Sequence, residues 1–254
     1  SVDDIRKAKR MGFSFVELNV RVTSNNVFYC FHGTNQAFGN KFISLDSTDI
    51  SNTLVSSVTS DYIEMNVRWN TTYDAYKNPP AKLVDALYAC KRYNVIPLVE
   101  YQPGIVEVLD EIMGVNNYMI GSYNLSRKDI GSDCIMVSWL TGNKTALVNK
   151  AKSSGGAFVV GVNTHHASYS SYTDAMWREL TSEIHKNGLL ASFSYGSSYY
   201  VNKMFKNGFD ICVTTNCVPY MENPNLFNLH SDFTFTDYSH TGTLTNGSLH
   251  LATN

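Results

Sequence analysis

The chain has 254 residues, 43% of them hydrophobic and 17% charged, the balance of a globular protein able to bury a full core. A net charge of -2 excludes a generally basic surface of the kind that holds nucleic acid or an anionic membrane, and no apolar run approaches the ~18–20 residues of a membrane span. The five cysteines are odd in number and dispersed, so they read as buried free thiols rather than as a disulfide framework or a zinc site. The first residue is Ser1 and not Met, which reads as a processed or excised piece.

In chain order, SVDDIRKAKR predicts a helix with Asp3 and Asp4 at its positive end. FVELNV and VFYCFH follow as strands, joined by a hairpin-like SNN at Ser24 to Asn26. Alternate side chains of a strand share a face, so Glu17 and Asn19 point the same way, and the hairpin returns His32 toward them. An acid, an amide and an imidazole converging on one spot suit a hard divalent cation beside a titratable group. Phosphodiester chemistry needs that combination.

Further strands are predicted at VIPLVEY, YMIGSY, CIMVSWL, AFVVGVN, LLASFSY and DICVTT, with helical patterns between them such as AKLVDALYACKRY, IVEVLDEIM, ALVNKAKSS, TDAMWRELTSEIHKNG and YYVNKMFKNG. The strands are almost wholly apolar, as parallel strands covered on both faces are. Gly188 and Gly208 follow Lys-Asn pairs where a left-handed residue ends a helix. No G-x-G-x-x-G and no P-loop appears, which disfavours a nucleotide fold and leaves a TIM (β/α) barrel as the expected α/β architecture.

The stretch from Asn40 to Pro80 breaks this rhythm and contains DYIEMNVRW, readable as a strand or a short helix. It is expected to be an elaborated loop over the C-terminal mouth of the barrel. After Asn223 the pattern turns to period-two alternation, with an Asn246-Gly247 pair suited to a tight hairpin. The chain therefore divides into a barrel over 1–223 and a β-rich appendage, or the start of a further domain, over 224–254. His230, His240 and His250 recur there without close metal-ligand spacing.

Three segments, MGFSFVELNVRVTSNNVFYCFHG, PPAKLVDALYACKRYNVIPLVEYQ and LLASFSYGSSYYVNKMFKNGFDICVTTN, together resemble the glycerophosphodiester phosphodiesterase family, whose fold is a TIM barrel. The resemblance implies metal-dependent hydrolysis of glycerol-phosphate diesters. It implies a divalent metal, Ca or Mg, on Glu17 and Glu100 with Asn19 at the position of a third acidic ligand, and His32 as one of two catalytic histidines. Gln102, His165 and Tyr195, at or just past the ends of predicted strands, are the expected substrate contacts, and of the adjacent His165 and His166 at most one faces the site.

The departures from the family pattern are specific. Asn19 lacks the charge of an Asp, Gly33 replaces the Asp after the histidine, and Gln102 stands where a phosphate-neutralising Lys is expected, with Lys144 or Arg68 as candidates to restore that charge. The family's first strand, with its His-Arg-Gly motif, would lie upstream of Ser1. The barrel is thus expected to lack its first strand unless an upstream segment, a larger polypeptide, an oligomer partner or, less well, the C-terminal DFTFTDY completes it.

The leading functional reading is hydrolysis of glycerol-phosphate diesters, extending to teichoic-acid-like polyglycerol phosphate. The alternative is a decayed barrel that binds a glycerophosphate or glycan polymer within a phage-tail or surface protein. A surface rich in Ser, Thr and Asn and the sixteen tyrosines suit an extracellular, cell-surface or virion setting. A sugar-active barrel using Glu17 and Glu100 as paired carboxylates explains His32 less well.

Overall fold

A computed structural model describes residues 2–10, 13, 15–70, 77–115, 117–122, 135–140, 145, 149, 157–163, 169–194, 203–213, 234–236 and 243–248. Helix α1 (Val2–Arg10) carries Asp3 and Asp4 in its first turn and Lys7, Lys9 and Arg10 in its last, so its charges oppose its dipole at both ends. Strands β1 (Phe15–Leu18), β2 (Val20–Val22) and β3 (Phe28–Cys30) come next, with the break at Asn19 dividing the single strand expected over FVELNV. The irregular stretch holds β4 (Phe42–Ser44), α2 (Ser60–Asn66) and β5 (Val67–Trp69), so DYIEMNVRW is helix in its first part and strand in its last. Then follow β6 (Ala81–Lys82), α3 (Leu83–Tyr93), β7 (Ile96–Glu100), α4 (Ile105–Met113), β8 (Met119–Ser122), β9 (Ile135–Leu140), β10 (Ala157–Asn163), α5 (Asp174–Lys186), β11 (Leu190–Ser194), β12 (Ile211–Val213), β13 (Thr234–Thr236) and β14 (Thr243–Ser248).

Seven strands form one sheet in the order β1-β7-β8-β9-β10-β11-β12, and every neighbouring pair is parallel. A parallel sheet laid down in chain order is the arrangement of a TIM barrel; a doubly wound sheet reverses its order at a switch point. Strands β1 and β12 end the sheet, and no strand joins them among the described residues. Strands β13 and β14 pair antiparallel with each other instead. Asn246 and Gly247 are not the turn of that hairpin: they lie inside β14, whose pairing with β13 carries a register shift. The predicted helix over ALVNKAKSS and the histidines His230, His240 and His250 lie outside what the described residues settle.

The core sits between the sheet and its helices. Leu18, Val99 and Ile120 from the strands pack with Leu83, Ala86, Leu87 and Cys90 of α3 and with Ile105, Leu109 and Ile112 of α4. Leu83, Leu87, Val99, Ile105 and Leu109 are wholly buried, each contributing about 1.5–3 kcal/mol of transfer free energy. Cys30 and Cys90 are free thiols, and desolvation pushes both up to about 12, which leaves them un-ionised at neutral pH. The helix ends follow expectation: Gly188 and Gly208 take φ of 71° and 88°, and the amides after them return to carbonyls of the last turn.

At the start of β11 and β12 a buried carboxylate ties two elements together. Asp210 Oδ2 accepts from the Ala191 amide and from His185 Nε2, both at 2.8 Å, while Oδ1 is buried without a partner. The hydrogen bond from His185 to Asp210 raises the imidazole above its ordinary value, against the desolvation that lowers it. A group whose folded pKa is raised stabilises fully below its unfolded pKa of about 6.5, and that contribution is lost as pH rises through the folded value. Chemical denaturation at pH 6 and pH 8 is expected to show a larger stability loss in wild type than in His185→Gln; equal losses would contradict the assignment.

Candidate active site

The site is built by the register of two strands. In the parallel β1–β7 pair Glu17 lies opposite Leu98 and Leu18 opposite Val99, so the next step along both strands sets Asn19 level with Glu100. Leu18, Val20 and Val99 turn toward the helices. By alternation Glu17, Asn19, Arg21 and Glu100 turn to the other side of the sheet, at the C-terminal strand ends where barrel enzymes carry their chemistry.

Glu100 is held firmly there. Its Oε2 accepts Arg21 Nη1 at 2.7 Å and the Val20 amide at 3.3 Å, and the same Nη1 also donates to the Val20 carbonyl at 2.6 Å. Gln102 Nε2 donates to that carbonyl at 3.0 Å, so its amide group is engaged in fastening the β2 backbone. The Arg21 side chain is only 6% exposed and its Nε is buried without a partner. Solvent reaches the Glu17 side chain, yet the protein around it withholds part of its hydration; that desolvation first, and repulsion from Glu100 second, raise Glu17 above its ordinary value.

Two carboxylates that repel each other, with an amide on the same face, are oxygen donors of the kind a hard divalent cation takes. The set is smaller than a three-carboxylate cage. Among the described residues no three His, Cys, Asp or Glu side chains gather closely enough to hold an ion.

His32 lies just beyond the β2–β3 hairpin. Val20 pairs with Cys30, and the Phe31 amide bonds the Asn19 carbonyl at 2.9 Å, which carries His32 to the level of Leu18. Phe31 is buried and packs at 4.7 Å from Phe42, which itself lies 4.2 Å from Trp69, and the next residue, His32, is exposed. The hairpin tip is pinned as well: Asn25 accepts from the Ser60 amide at 3.0 Å and donates to Ser60 Oγ at 2.9 Å, while Tyr29 donates to Glu64 of α2 at 2.7 Å. The stretch expected to be an elaborated loop is thus a small packed unit that braces the strand bearing the histidine.

That packing explains Gly33. A Cβ there would lie 2.0 Å from the carbonyl oxygen of Ala37, because Thr34 and Ala37 close a tight turn by reciprocal backbone bonds of 3.1 and 2.8 Å. An Asp after His32, as the family resemblance would have it, has no room in this turn.

Of the predicted site residues, Glu17, Asn19, Glu100 and Gln102 come together, while His32 follows β3 and is exposed. His165, His166, Tyr195 and Lys144 lie outside the described residues. Arg68 does not supply charge to the site: it donates to the carbonyls of Ile63, Met65 and Val67 at the end of α2, because β5 pairs with β4 and carries it there. The charged residue at this site that sequence reasoning missed is Arg21. Its signal was present, since Glu17, Asn19 and Arg21 fall at i, i+2 and i+4 of one extended run.

A sequential parallel α/β sheet with an acidic pair at the C-terminal ends of adjacent strands defines a protein of the TIM-barrel class with a candidate site at those strand ends. No family model matches the chain, and no curated protein matches it in sequence. Solved structures share its fold. A phosphodiesterase from Oleispira antarctica, in complex with the product sn-glycerol-3-phosphate, is 13% identical at a TM-score of 0.67, over 84% of this chain and 85% of that one. A glycerophosphodiester phosphodiesterase from Agrobacterium tumefaciens is 13% identical at 0.63, over 85% and 90%. The corresponding domain of a Mycobacterium tuberculosis protein is 14% identical at 0.60, over 87% and 92%. The chain therefore has the fold of glycerophosphodiester phosphodiesterases, at low sequence identity, in keeping with the divergent motifs read from its sequence.

Replacing Gly33 by Ala is expected to cost about 1–3 kcal/mol of stability, since the turn must open to admit the methyl group. Urea unfolding of the variant against wild type measures this, and an unchanged midpoint would mean the turn is not so closely packed.

Proposed function

We propose that the chain hydrolyses glycerol-phosphate diesters at the site formed by Glu17, Asn19, Glu100 and His32. The observation that carries the reading is the placement of an acidic pair and an amide oxygen at the C-terminal ends of β1 and β7, in the fold common to glycerophosphodiester phosphodiesterases. A calcium or magnesium ion, when bound, would offset charge on the phosphoryl oxygens. Glu17, Glu100 and the Asn19 carbonyl oxygen would hold it.

The remaining chemistry belongs to the chain's own groups. His32, which is exposed, is the group to move the proton, either from the attacking hydroxyl or water or to the leaving alkoxide. Glu100, fixed by Arg21 and the Val20 amide, keeps its place as the substrate arrives. Simple diesters and polymeric glycerol phosphate share the bond to be cut, so both are substrates to test. A second reading, binding of such a polymer without cleavage, draws support from Asn19 in place of a carboxylate and from the guanidinium on Glu100. Both lower the charge available to hold a metal.

Calorimetric titration with calcium and magnesium, paired with release of glycerol phosphate from a simple diester and from polyglycerol phosphate, tests the reading. Glu17→Ala is expected to abolish metal binding and turnover. His32→Ala is expected to lose about 100-fold or more in turnover while still binding metal. Wild type that neither binds metal nor turns over, yet retains the polymer, would decide for the second reading.

A further inference from the structure

Among the described residues, Glu100 is the acidic member of the site that holds a cation. Arg21 is 5% exposed, shares its face with Glu17 and Asn19, and occupies Oε2 of Glu100 at 2.7 Å with its position fixed again by the Val20 carbonyl. Gln102, at the position where the resemblance expects a lysine, is itself bound to that same carbonyl. The positive charge missing at residue 102 is thus present nearby, on a different strand and beside the same carbonyl.

We propose that Arg21 is the built-in cation of this site: it holds one oxygen of Glu100 permanently, sets how weakly an exchangeable divalent ion binds there, and adds positive charge beside the phosphoryl position. The inference deepens the function proposed above and rests on the same site, but its central measurement needs no substrate. An arginine cannot be deprotonated in a protein, so its charge competes with a metal at every working pH. Removing it leaves Oε2 with only the Val20 amide and takes away a like charge from beside the ion. Keeping the charge on a lysine leaves the competition in place while losing the guanidinium's planar geometry.

The test is titration of wild type, Arg21→Met and Arg21→Lys with calcium, magnesium and manganese alone, followed by titration with sn-glycerol 3-phosphate. Arg21→Met is expected to bind metal about tenfold more tightly than wild type, from the loss of one unit charge within a few ångströms of the ion. The same variant is expected to bind glycerol 3-phosphate more weakly or with a raised KM. Arg21→Lys should bind metal within about threefold of wild type. Metal binding that is detectable only in Arg21→Met supports the proposal equally. Affinity in Arg21→Met that is unchanged, weaker than wild type, or absent from both proteins overturns it, and a drop in melting temperature with unaltered ligand affinities would mean a purely structural ion pair. Where Arg21→Met does not fold, Arg21→Gln removes the charge while keeping a donor for Val20 and Glu100, and the same outcomes are read from it. Turnover, assayed separately, judges the hydrolytic reading: tighter metal binding in Arg21→Met without any turnover would remove that reading and leave the role of Arg21 standing.

Discussion

The parallel pairing of Phe15–Leu18 with Ile96–Glu100 is the contact on which the rest of the site depends. Alternation along those strands sends Leu18 and Val99 into the helices and sends Glu17 and Glu100 to the opposite side. A slip of β1 by one residue would turn Glu17 toward the apolar side and Leu18 away from it. The helices α3 and α4 hold the register through residues that are wholly buried, so packing on one side of the sheet sets the acidic pair on the other.

Bringing two carboxylates to adjacent strand ends has an electrostatic cost. Part of it shows in Glu17, whose proton is retained more readily because its hydration is reduced and Glu100 is near. The other part is met by Arg21, whose guanidinium neutralises Glu100 from a largely buried position. Removing one partner of a buried ion pair typically costs about 3–5 kcal/mol, so this pair couples the stability of the β2 segment to the electrostatics of the site. Asn19, lacking a charge, fits the same balance: a third carboxylate beside Glu17 and Glu100 would add repulsion that one guanidinium does not offset.

The packed unit between β3 and α3 has a different role. Its aromatic cluster of Phe31, Phe38, Phe42 and Trp69 forms a second small core, and the hairpin bearing His32 is anchored to α2 at its tip and along its length. A histidine placed on a free hairpin would lose orientation to chain entropy; here the flanking Phe31 is buried and the following glycine lets the chain turn within contact distance of Ala37. The departure from the family pattern at Gly33 is therefore a consequence of this turn's packing.

Much of this was legible in the residues themselves. Period-two and apolar runs marked the strands, Gly188 and Gly208 marked helix ends, and the alternation in ELNVRV placed Glu17 and Asn19 on one face, because those features depend on local geometry alone. The sequence could not show that Arg68 would be drawn to the end of α2, that Asn246 and Gly247 would lie within a strand, or that Arg21 would meet Glu100, 79 positions away in the chain. Each of those depends on which strands pair and in what register. Strand identity and facing follow from local sterics and hydrophobic periodicity, whereas the partner of a charged side chain is chosen by tertiary packing, which decides what lies opposite it once water has been excluded.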